Sequence, residues 1–336
     1  MTSSASVSPP VNLGHRRIFI TGGTGFVGRG LLDYLAECAD AHGADFEVVV
    51  LSRDPAAFLR RHARYASLPW LTFQAGDVDR LDKSSAQRAG RFTDVLHAAS
   101  EARSAGDPVD WMRQIVDGTR QSLQFATNTG ARRYLFASSG AVYGPQPQDL
   151  PRIPETHPGA PSPQISSSAY GQAKRLAEQL CTAFMCQHGL ETVAARYFAL
   201  VGPHVPLDGG YAIGNFIRDA LAGRPIRVAS DGRAVRSYLY SRDCAHWTFT
   251  LLAQGEKGEA FNVGSDDGLS IADLARRVAN CLSPGSLVEI EHDRPHGAER
   301  SVYVPDISKA AALGLKVETS LDAAIRLSAG ARAAMR

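Results

Sequence analysis

Two polar side chains near the middle of the chain are spaced for proton transfer. Tyr170 and Lys174 lie four residues apart in a helical pattern, so they share one face of the predicted helix. An ammonium group beside a phenol favours the phenolate, and such a tyrosine can exchange a proton with a substrate hydroxyl or carbonyl. Many solvated helices carry this spacing by chance, so its meaning depends on the elements around it.

A pair of serines precedes this helix in the chain. The apolar run Arg133–Ala137 predicts a buried strand that ends in Ser138 and Ser139. The hydroxyl of Ser139 could hold the substrate oxygen with which Tyr170 exchanges its proton. Tyr143 follows in a turn, where a packing or substrate-contact role is favoured over that of a second acid.

A glycine-rich turn lies between the first predicted strand and the first predicted helix. The run Arg17–Ile20 leads into T-G-G-T-G-F-V-G, residues 21–28. Gly22 allows the turn, Gly25 lets the backbone approach a pyrophosphate, and Gly28 lets the helix pack close to the strand. The free N–H groups of the helix N-terminus attract phosphate. A dinucleotide site is predicted here, against the alternative of a merely structural tight turn.

The end of the second predicted strand, Phe46–Leu51, bears on the choice of dinucleotide. An arginine at this place accommodates the 2′-phosphate of NADP, whereas a carboxylate bonds the free ribose of NAD. Ser52 and Arg53 could grip a phosphate, and Asp54 before Pro55 has the pattern of a helix N-cap. NADP is therefore favoured. A slip of two residues would bring Asp54 to the ribose, so NAD stays open.

Strands and helices alternate along the N-terminal part of the chain. Further strands are predicted at 71–75, 94–98 and 191–198, and long helices at 109–128 and 168–188. The alternation predicts an α/β fold with a doubly wound parallel sheet (Rossmann). His97, at a strand end, is expected to pack rather than to catalyse. The predicted division is a disordered tail over 1–14, a dinucleotide-binding domain over 15–198 and a C-terminal domain over 199–336, with some return of the chain to the sheet.

Composition excludes several classes of function. The 336 residues carry 36 basic and 34 acidic side chains without runs of like charge, so neither nucleic acid nor an anionic membrane is an expected partner. No apolar run is long enough to span a bilayer. The five cysteines are scattered without zinc-ligand spacing, which predicts no metal and a reduced, cytoplasmic protein.

Taken together, the motifs resemble the extended short-chain dehydrogenases/reductases, in particular the NAD-dependent epimerase/dehydratase branch that acts on nucleotide sugars. The similarity is carried by T-G-G-T-G-F-V-G, G-D-V, H-A-A, S-S-G-A-V-Y-G, Y-G-Q-A-K, R-Y-F-A-L-V-G-P and R-S-Y-L-Y-S-R-D. It implies that Ser139 binds the substrate oxygen, that Tyr170 is the acid/base, and that Lys174 binds the nicotinamide ribose. Hydride would move between the nicotinamide and a sugar carbon, usually C4.

The resemblance implies that the C-terminal part, 199–336, is a smaller α/β substrate-binding domain that mainly binds the nucleotide sugar. It also implies two sets of binding residues. The cofactor would be held by Gly22, Thr24, Gly25, Phe26, Val27, Gly28, Ser52, Arg53, Asp77, Val78, Ala98, Ala99, Tyr170 and Lys174. The nucleotide sugar would contact Ser100, Ser139, Tyr143, Asn215, Phe216 and Arg236, with Arg294 or Arg300 as a second diphosphate clamp. Asn215 and Phe216 would open a helix that runs up to Leu221, and Asp243 is most simply the N-cap of the helix that starts near it. Arginine suits a diphosphate because its planar fork bonds phosphate oxygens in pairs.

Departures from the family pattern narrow the activity. Dehydratases of this family carry Asp-Glu directly after the catalytic hydroxyl, and Gly140 and Ala141 stand there instead, which argues against a 4,6-dehydratase. Ala199 and Ile115 replace asparagines that many relatives have, and this leaves a sugar contact and a helix contact open.

The sequence therefore predicts an NADPH-dependent reductase of a nucleotide-linked 4-keto-6-deoxy sugar, with the proton supplied by Tyr170. A nucleotide-sugar 4-epimerase with tightly held NAD is the alternative, and a non-catalytic dinucleotide sensor is disfavoured because both Tyr170 and Lys174 are kept. The two long helices resemble those that pair in dimeric relatives, so a homodimer is expected.

Overall fold

A computed structural model describes residues 8–99, 107–291 and 301–333. The strands are β1 (Arg17–Thr21), β2 (Glu47–Ser52), β3 (Leu71–Ala75), β4 (Asp94–His97), β5 (Arg133–Ser139), β6 (Glu191–Tyr197), β7 (Leu200–Val201), β8 (Ile226–Val228), β9 (Val235–Arg236), β10 (Leu239–Tyr240), β11 (Ala260–Val263), β12 (Leu269–Ser270), β13 (Val288–Ile290) and β14 (Val302–Tyr303). The helices are α1 (Phe26–His42), α2 (Pro55–Arg61), α3 (Lys83–Ala89), α4 (Pro108–Thr129), α5 (Ala169–His188), α6 (Ala212–Leu221), α7 (Ser241–Gln254), α8 (Ile271–Leu282), α9 (Ser308–Ala311) and α10 (Leu321–Ala333).

The central sheet has seven strands in the order β11-β6-β5-β4-β1-β2-β3, and all its neighbouring pairs are parallel. Helices α1 and α7 cover one face and α4 and α5 cover the other. The strands are apolar on both faces for this reason, as in Val48 and Val49 of β2, which point to opposite layers. The predicted doubly wound fold is confirmed, and the strands and long helices predicted up to residue 198 agree with the structure to within a residue or two.

The chain reverses its direction of travel across the sheet at β1. It moves outward from β1 through β2 to β3 and then returns to β4 on the other side of β1. In such sheets ligands bind in the crevice at the carboxyl ends of the strands next to this switch point. The glycine turn and the serine pair both lie at that edge, after β1 and at the end of β5.

The region after β6 builds a smaller α/β layer beside this edge. Helices α6, α8 and α10 pack together with the short strand pair β8 and β13 around a separate apolar core. The chain returns to the main sheet at β11, which pairs with β6. Two sides of one crevice are thus built by different parts of the chain.

The N-terminal segment predicted as a disordered tail, 1–14, packs against the domain from Ser8 onward. Leu13 is buried in the core, and the amide of Val11 donates a hydrogen bond to the hydroxyl of Tyr34 at 2.9 Å. The prediction of a tail is therefore wrong for this part. The Ser- and Pro-rich composition concealed a short apolar anchor.

Two carboxylates were predicted to be helix caps, and only one is. Asp54 caps α2 as expected, since its side chain accepts a hydrogen bond from the amide of Ala57 at 2.8 Å. Asp243 lies inside the first turn of α7 and accepts hydrogen bonds from the amide and the hydroxyl of Thr319 at 2.9 and 3.0 Å. It therefore anchors a distant segment, which local sequence could not indicate.

None of the described helices combines the length and apolar composition that crossing a bilayer requires. Within the described ranges, no cluster of three or more His, Cys, Asp or Glu side chains is arranged to hold a metal ion.

His97 ends β4 as a buried, neutral side chain. Its Nδ1 lies 2.7 Å from the hydroxyl of Thr21, and its ring stacks on Phe136. Burial, reinforced by the nearby ammonium of Lys174, lowers the pKa of His97 to about 3. The expectation that this histidine packs is consistent with these contacts.

We expect His97 to make the fold sensitive to acid. The unfolded chain binds a proton at His97 below pH 6.5 and the folded chain does so only near pH 3, so stability is fully present above 6.5 and is lost as the pH falls. The slope of the unfolding free energy between pH 6 and 4 should therefore be smaller in a His97→Asn variant, by up to about 1.4 kcal/mol per pH unit. Urea unfolding at several pH values measures it. The exposed His188 provides the control as His188→Asn, and an unchanged slope in His97→Asn would contradict the prediction.

Candidate active site

A large cleft of about 1370 Å³ runs along the carboxyl edge of the sheet. One wall consists of the glycine turn and the ends of β2, β3, β4 and β5, and the other is built by the C-terminal region. The residues predicted to bind cofactor or to catalyse that line this cleft are Gly22, Thr24, Gly25, Phe26, Val27, Gly28, Ser52, Arg53, Asp77, Val78, Ala98, Ala99, Ser139, Tyr170 and Lys174. The structure therefore brings the predicted cofactor-binding residues and the predicted catalytic residues, which are far apart in sequence, into one cleft.

The glycine turn is shaped as a cradle for phosphate. A Cβ on Gly22, whose φ is +76°, would lie 2.5 Å from the backbone of Ala98, and a Cβ on Gly28 would lie 2.2 Å from the carbonyl oxygen of Gly22. A Cβ on Gly25 would meet that same oxygen at the ordinary distance of 3.5 Å. Two of the glycines are therefore required by packing, and the third leaves room for a ligand.

The N-terminus of α1 opens onto this cradle. Gly25 is the N-cap residue of α1, and none of the described side chains caps the helix there. The first N–H groups of the helix and its partial positive charge are thus available to an anion in the cleft. Together with the space beside Gly25, this arrangement fits the pyrophosphate of a dinucleotide.

The far end of the cleft is lined by the tips of β2 and β3. Ser52 is buried and Arg53 is exposed at the tip of β2, and Asp77 and Val78 follow β3. Asp54 does not line the cleft, because its carboxylate is held by the first turn of α2. A hydroxyl and a guanidinium therefore face the place where the adenosine ribose of a dinucleotide would lie.

The end of β5 and the start of α5 carry the predicted catalytic residues. Lys174 is buried, its Nζ donates a hydrogen bond to the carbonyl of Ala137 at 2.7 Å, and it lies 5.8 Å from the centre of the Tyr170 ring. Burial lowers the pKa of Lys174 to about 7. Ser139 is half-buried, and its hydroxyl accepts a hydrogen bond from the amide of Ala141 at 3.2 Å. An ammonium, a phenol and a hydroxyl thus share one wall of the cleft.

The position after Ser139 has no room for a side chain. A Cβ on Gly140 would lie 2.5 Å from the hydroxyl of Tyr303 and 2.6 Å from the ring of Phe198. The rings of Tyr303 and Phe198 pack together with their centres 4.5 Å apart. An acidic residue at this position would have to displace both rings.

Three of the predicted substrate contacts are not brought to the cleft. Tyr143 is buried, with its hydroxyl donating to Asn262 and accepting from Arg196, each at 2.8 Å. Phe216 lies in the core of the smaller layer, and the amide group of Asn215 donates to the carbonyl of Gly209 at 2.9 Å. These contacts stabilise the fold, and the predicted sugar and nucleotide contacts of the three side chains are not supported.

The cleft is instead lined by the residues just before Asn215. The residues in question are Gly210, Tyr211, Ala212 and Ile213. The prediction placed the start of α6 about one turn too late, since the helix begins at Ala212. A register error of this size is enough to exchange the cleft-facing residues for core residues.

The predicted arginines have different outcomes. Arg236 lines the cleft, and its guanidinium lies 5.7 Å from the centre of the Tyr303 ring and donates to the hydroxyl of Ser301 at 3.2 Å. Ser100, Arg294 and Arg300 lie outside the residues that the structure describes. Arg236 is thus the predicted diphosphate-binding residue that the structure places at the cleft.

Sequence reasoning missed three tyrosines that line the cleft from the C-terminal region, Tyr211, Tyr238 and Tyr303. Burial raises the pKa of Tyr238 to about 12, so that its hydroxyl stays protonated at neutral pH. Tyr238 lies within the motif R-S-Y-L-Y-S-R-D and could have been found from it. Tyr303 belongs to a two-residue strand, which carries no periodic signal.

The glycine turn gives a prediction that separates ligand binding from packing. Gly25→Ala should keep the stability within about 1 kcal/mol of the wild type and weaken binding of a reduced nicotinamide dinucleotide, because its methyl group enters the cleft without a clash. Gly28→Ala should lower the unfolding free energy by about 1–3 kcal/mol, because its methyl group meets backbone atoms. Urea unfolding and a fluorescence titration with the dinucleotide measure the two effects. Undiminished binding in Gly25→Ala would refute the cradle.

Comparisons with known proteins agree with this geometry. The model of the NAD dependent epimerase/dehydratase family matches residues 18–264. UDP-glucuronic acid decarboxylase 1 of Arabidopsis thaliana is 30% identical over 306 residues, which cover 90% of this chain and 66% of that protein. UDP-N-acetyl-alpha-D-glucosaminuronate decarboxylase of Bacillus cytotoxicus is 30% identical over 304 residues, which cover 88% of this chain and 90% of that protein.

Solved structures show the same similarity. The UDP-glucose 4-epimerase of Thermus thermophilus, in complex with NAD, has a TM-score of 0.76 and 26% identity, covering 94% of this chain and 98% of that one. The resemblance predicted from the motifs is confirmed. From the family match, the shared fold and the cleft at the switch point, this chain belongs to the NAD dependent epimerase/dehydratase family and is an enzyme of that family.

Proposed function

We propose that the protein is an NADPH-dependent reductase that converts a nucleotide-linked 4-keto-6-deoxy sugar to the 4-hydroxy sugar. The observation that carries the proposal is the joining of two sites in one cleft. The glycine cradle with the Ser52–Arg53 tip lies at one end, and Tyr170, Lys174 and Ser139 lie in its wall.

The chain supplies the proton for this reaction and NADPH, when bound, supplies the hydride. Tyr170 donates its hydroxyl proton to the carbonyl oxygen as the hydride reaches the carbon, so that an alcohol forms. Ser139 holds that oxygen. Burial lowers the pKa of Lys174 to about 7, and the positive charge of its ammonium stabilises the phenolate that remains.

The choice of NADPH rests on the tip of β2. The carboxylate of Asp54 is engaged with α2 and is turned away from the cleft, whereas Ser52 and Arg53 line it. A guanidinium and a hydroxyl suit a 2′-phosphate, because both donate hydrogen bonds to anionic oxygens. NADPH is also the form that a reductase draws on.

The nucleotide-sugar substrate is supported by the size of the cleft and by the relatives. The cleft continues past Tyr170 to Arg236, a residue suited to a diphosphate. The relatives named above are decarboxylases and an epimerase of UDP-linked sugars. Gly140 and Ala141 carry neither an acid nor a base, which disfavours elimination of water, because that reaction needs both next to the catalytic hydroxyl.

A nucleotide-sugar 4-epimerase with tightly held NAD is the second candidate. It is favoured by the similarity to a UDP-glucose 4-epimerase that was solved with NAD. Such an enzyme would return the hydride to the other face of the sugar and need no added cofactor.

The proposal includes a homodimer that works in the cytoplasm. Helices α4 and α5 pack against each other and carry three exposed apolar side chains, Val109, Met112 and Leu176, which a second copy could cover. The five cysteines are free thiols, as in proteins of a reducing compartment.

The central experiment is turnover by the purified protein. With NADPH and a nucleotide-linked 4-keto-6-deoxy sugar, absorbance of the reduced nicotinamide should fall, and Tyr170→Phe should lower kcat by about 10²–10⁴-fold while still binding NADPH. If absorbance does not fall with any nucleotide-linked 4-keto sugar, the reductase proposal is wrong. Epimer formed from a UDP-sugar without added cofactor would establish the epimerase, and carbon dioxide from UDP-glucuronic acid would establish a decarboxylase. A non-catalytic dinucleotide sensor has no turnover to lose, so Tyr170→Phe would leave its function unchanged.

The cofactor preference is tested at Arg53. Arg53→Ala should weaken NADPH about 10–100-fold and leave NADH nearly unchanged, since a hydrogen bond to a charged group contributes about 1.5–3 kcal/mol. Dissociation constants of the two cofactors, measured by fluorescence, give the ratio. Arg60→Ala on α2, away from the cleft, is the control. Equal losses for NADPH and NADH would show that Arg53 does not read the 2′-phosphate.

A further inference from the structure

One face of α5 continues the catalytic spacing by another turn. Tyr170, Lys174 and Glu178 follow one another at intervals of four residues, so all three lie on the same side of the helix. The contacts of Lys174 and Glu178 fall on adjacent residues of β5. Nζ of Lys174 binds the carbonyl of Ala137, and the hydroxyl of Ser138 donates to Oε1 of Glu178 at 2.5 Å.

The same carboxylate joins α5 to β6. Arg196 donates from Nε to Oε1 of Glu178 at 3.0 Å and from Nη2 to Oε2 at 2.7 Å. Both side chains are mostly buried, with 14% and 16% of their surface exposed. A two-pronged pair of this kind has a fixed geometry, and breaking it leaves a charge without its partner. Glu178 thus connects α5 to β5 and β6, and its contact on β5 is the residue next to Ser139.

Glu178 also faces the buried ammonium of Lys174. Burial is the largest influence on the pKa of Lys174 and lowers it, whereas the charge of Glu178 and the thiol of Cys181 raise it. From the sheet, Lys174 is faced by the ring of Phe136 and by the neutral His97. The other titratable or charged groups that the structure places around the pair are Tyr170 and Cys181 on α5 and Arg196 on β6. Tyr143 and Glu155 follow behind Arg196, with the hydroxyl of Tyr143 and the carbonyl of Glu155 accepting from its Nη1.

We propose that Glu178 is a positioning residue, which fixes the register of α5 on the end of β5 so that Tyr170 and Ser139 meet the same substrate oxygen. Glu178 does not line the cleft. It acts through Ser138 and Arg196, and its negative charge keeps the ammonium of Lys174 protonated. The inference rests on the proposed function for its effect on turnover, but its effect on Lys174 does not depend on any substrate.

The chain makes a direct measurement feasible. It contains five lysines, and the other four, Lys83, Lys257, Lys309 and Lys316, are exposed or partly exposed. Side-chain NMR of lysine-labelled protein should therefore show one outlying signal, assigned by its loss in Lys174→Met. We expect Glu178→Gln to lower the pKa read from this signal by about one unit, because a neighbouring negative charge is removed.

A matched control lies at the other end of the same strands. Glu191 of β6 pairs with Arg133 of β5 at 3.2 Å and is similarly shielded from solvent, but it lies at the edge opposite to the cleft. Glu191→Gln removes the same charge from the same strand pair. It should leave the signal of Lys174 and the turnover as they are in the wild type.

Turnover tests the positioning role. Glu178→Gln should lower kcat about tenfold with KM values for NADPH and the nucleotide sugar changed less than about threefold, because misalignment affects the reacting atoms more than binding. In the pH profile of kcat, the apparent pKa at which turnover is lost at high pH should fall together with the pKa of Lys174. Ser138→Ala, a smaller change, should lower kcat while the signal of Lys174 stays in place.

The outcomes are distinguishable from failure of the proposed function. If the wild type turns over no nucleotide sugar while Glu178→Gln still lowers the pKa of Lys174, the proposed function has failed and the electrostatic part of this inference stands. If that pKa is unchanged, or kcat falls only in proportion to the folded fraction, the inference is overturned. If Glu178→Gln does not fold, unchanged kcat in Ser138→Ala overturns it.

Discussion

The backbone contact between the glycine turn and the first helix is the constraint on which the cleft depends. Gly28 lies so close to the carbonyl of Gly22 that a single added carbon would overlap it. This closeness directs the N-terminus of α1 at the switch point between β1 and β4, where two halves of the sheet diverge. Every other part of the site is arranged around the place that this helix end faces.

The second organising contact is between α5 and the end of β5. A buried ammonium is costly, and here the cost is reduced by a backbone carbonyl, an aromatic face and a carboxylate one turn away. Lys174 is therefore held rigidly, and its pKa lies near neutral pH. Such tuning is typical of sites that move protons at physiological pH.

The parts that sequence predicted are those in which the signal is local. The glycine turn, the alternating strands and helices, the Tyr170–Lys174 spacing and the cap at Asp54 each depend on residues within a few positions of one another. The parts that it missed depend on distant partners. Asp243 accepts hydrogen bonds from Thr319, and the hydroxyl of Tyr143 is hydrogen-bonded to Asn262 and Arg196. These partners are far away in sequence, so a local pattern could not reveal them. The contacts at α6 failed because the helix begins one turn earlier than predicted.

The packing at Gly140 restricts how this enzyme could change its chemistry in evolution. A glycine codon becomes an aspartate codon by one base change, but here the new carboxylate would collide with the hydroxyl of Tyr303 and the ring of Phe198. The rings of Tyr303 and Phe198 would have to shift, or be replaced, to admit it. Gain of an acid next to the catalytic hydroxyl is therefore coupled to the packing of two aromatic rings from other parts of the chain.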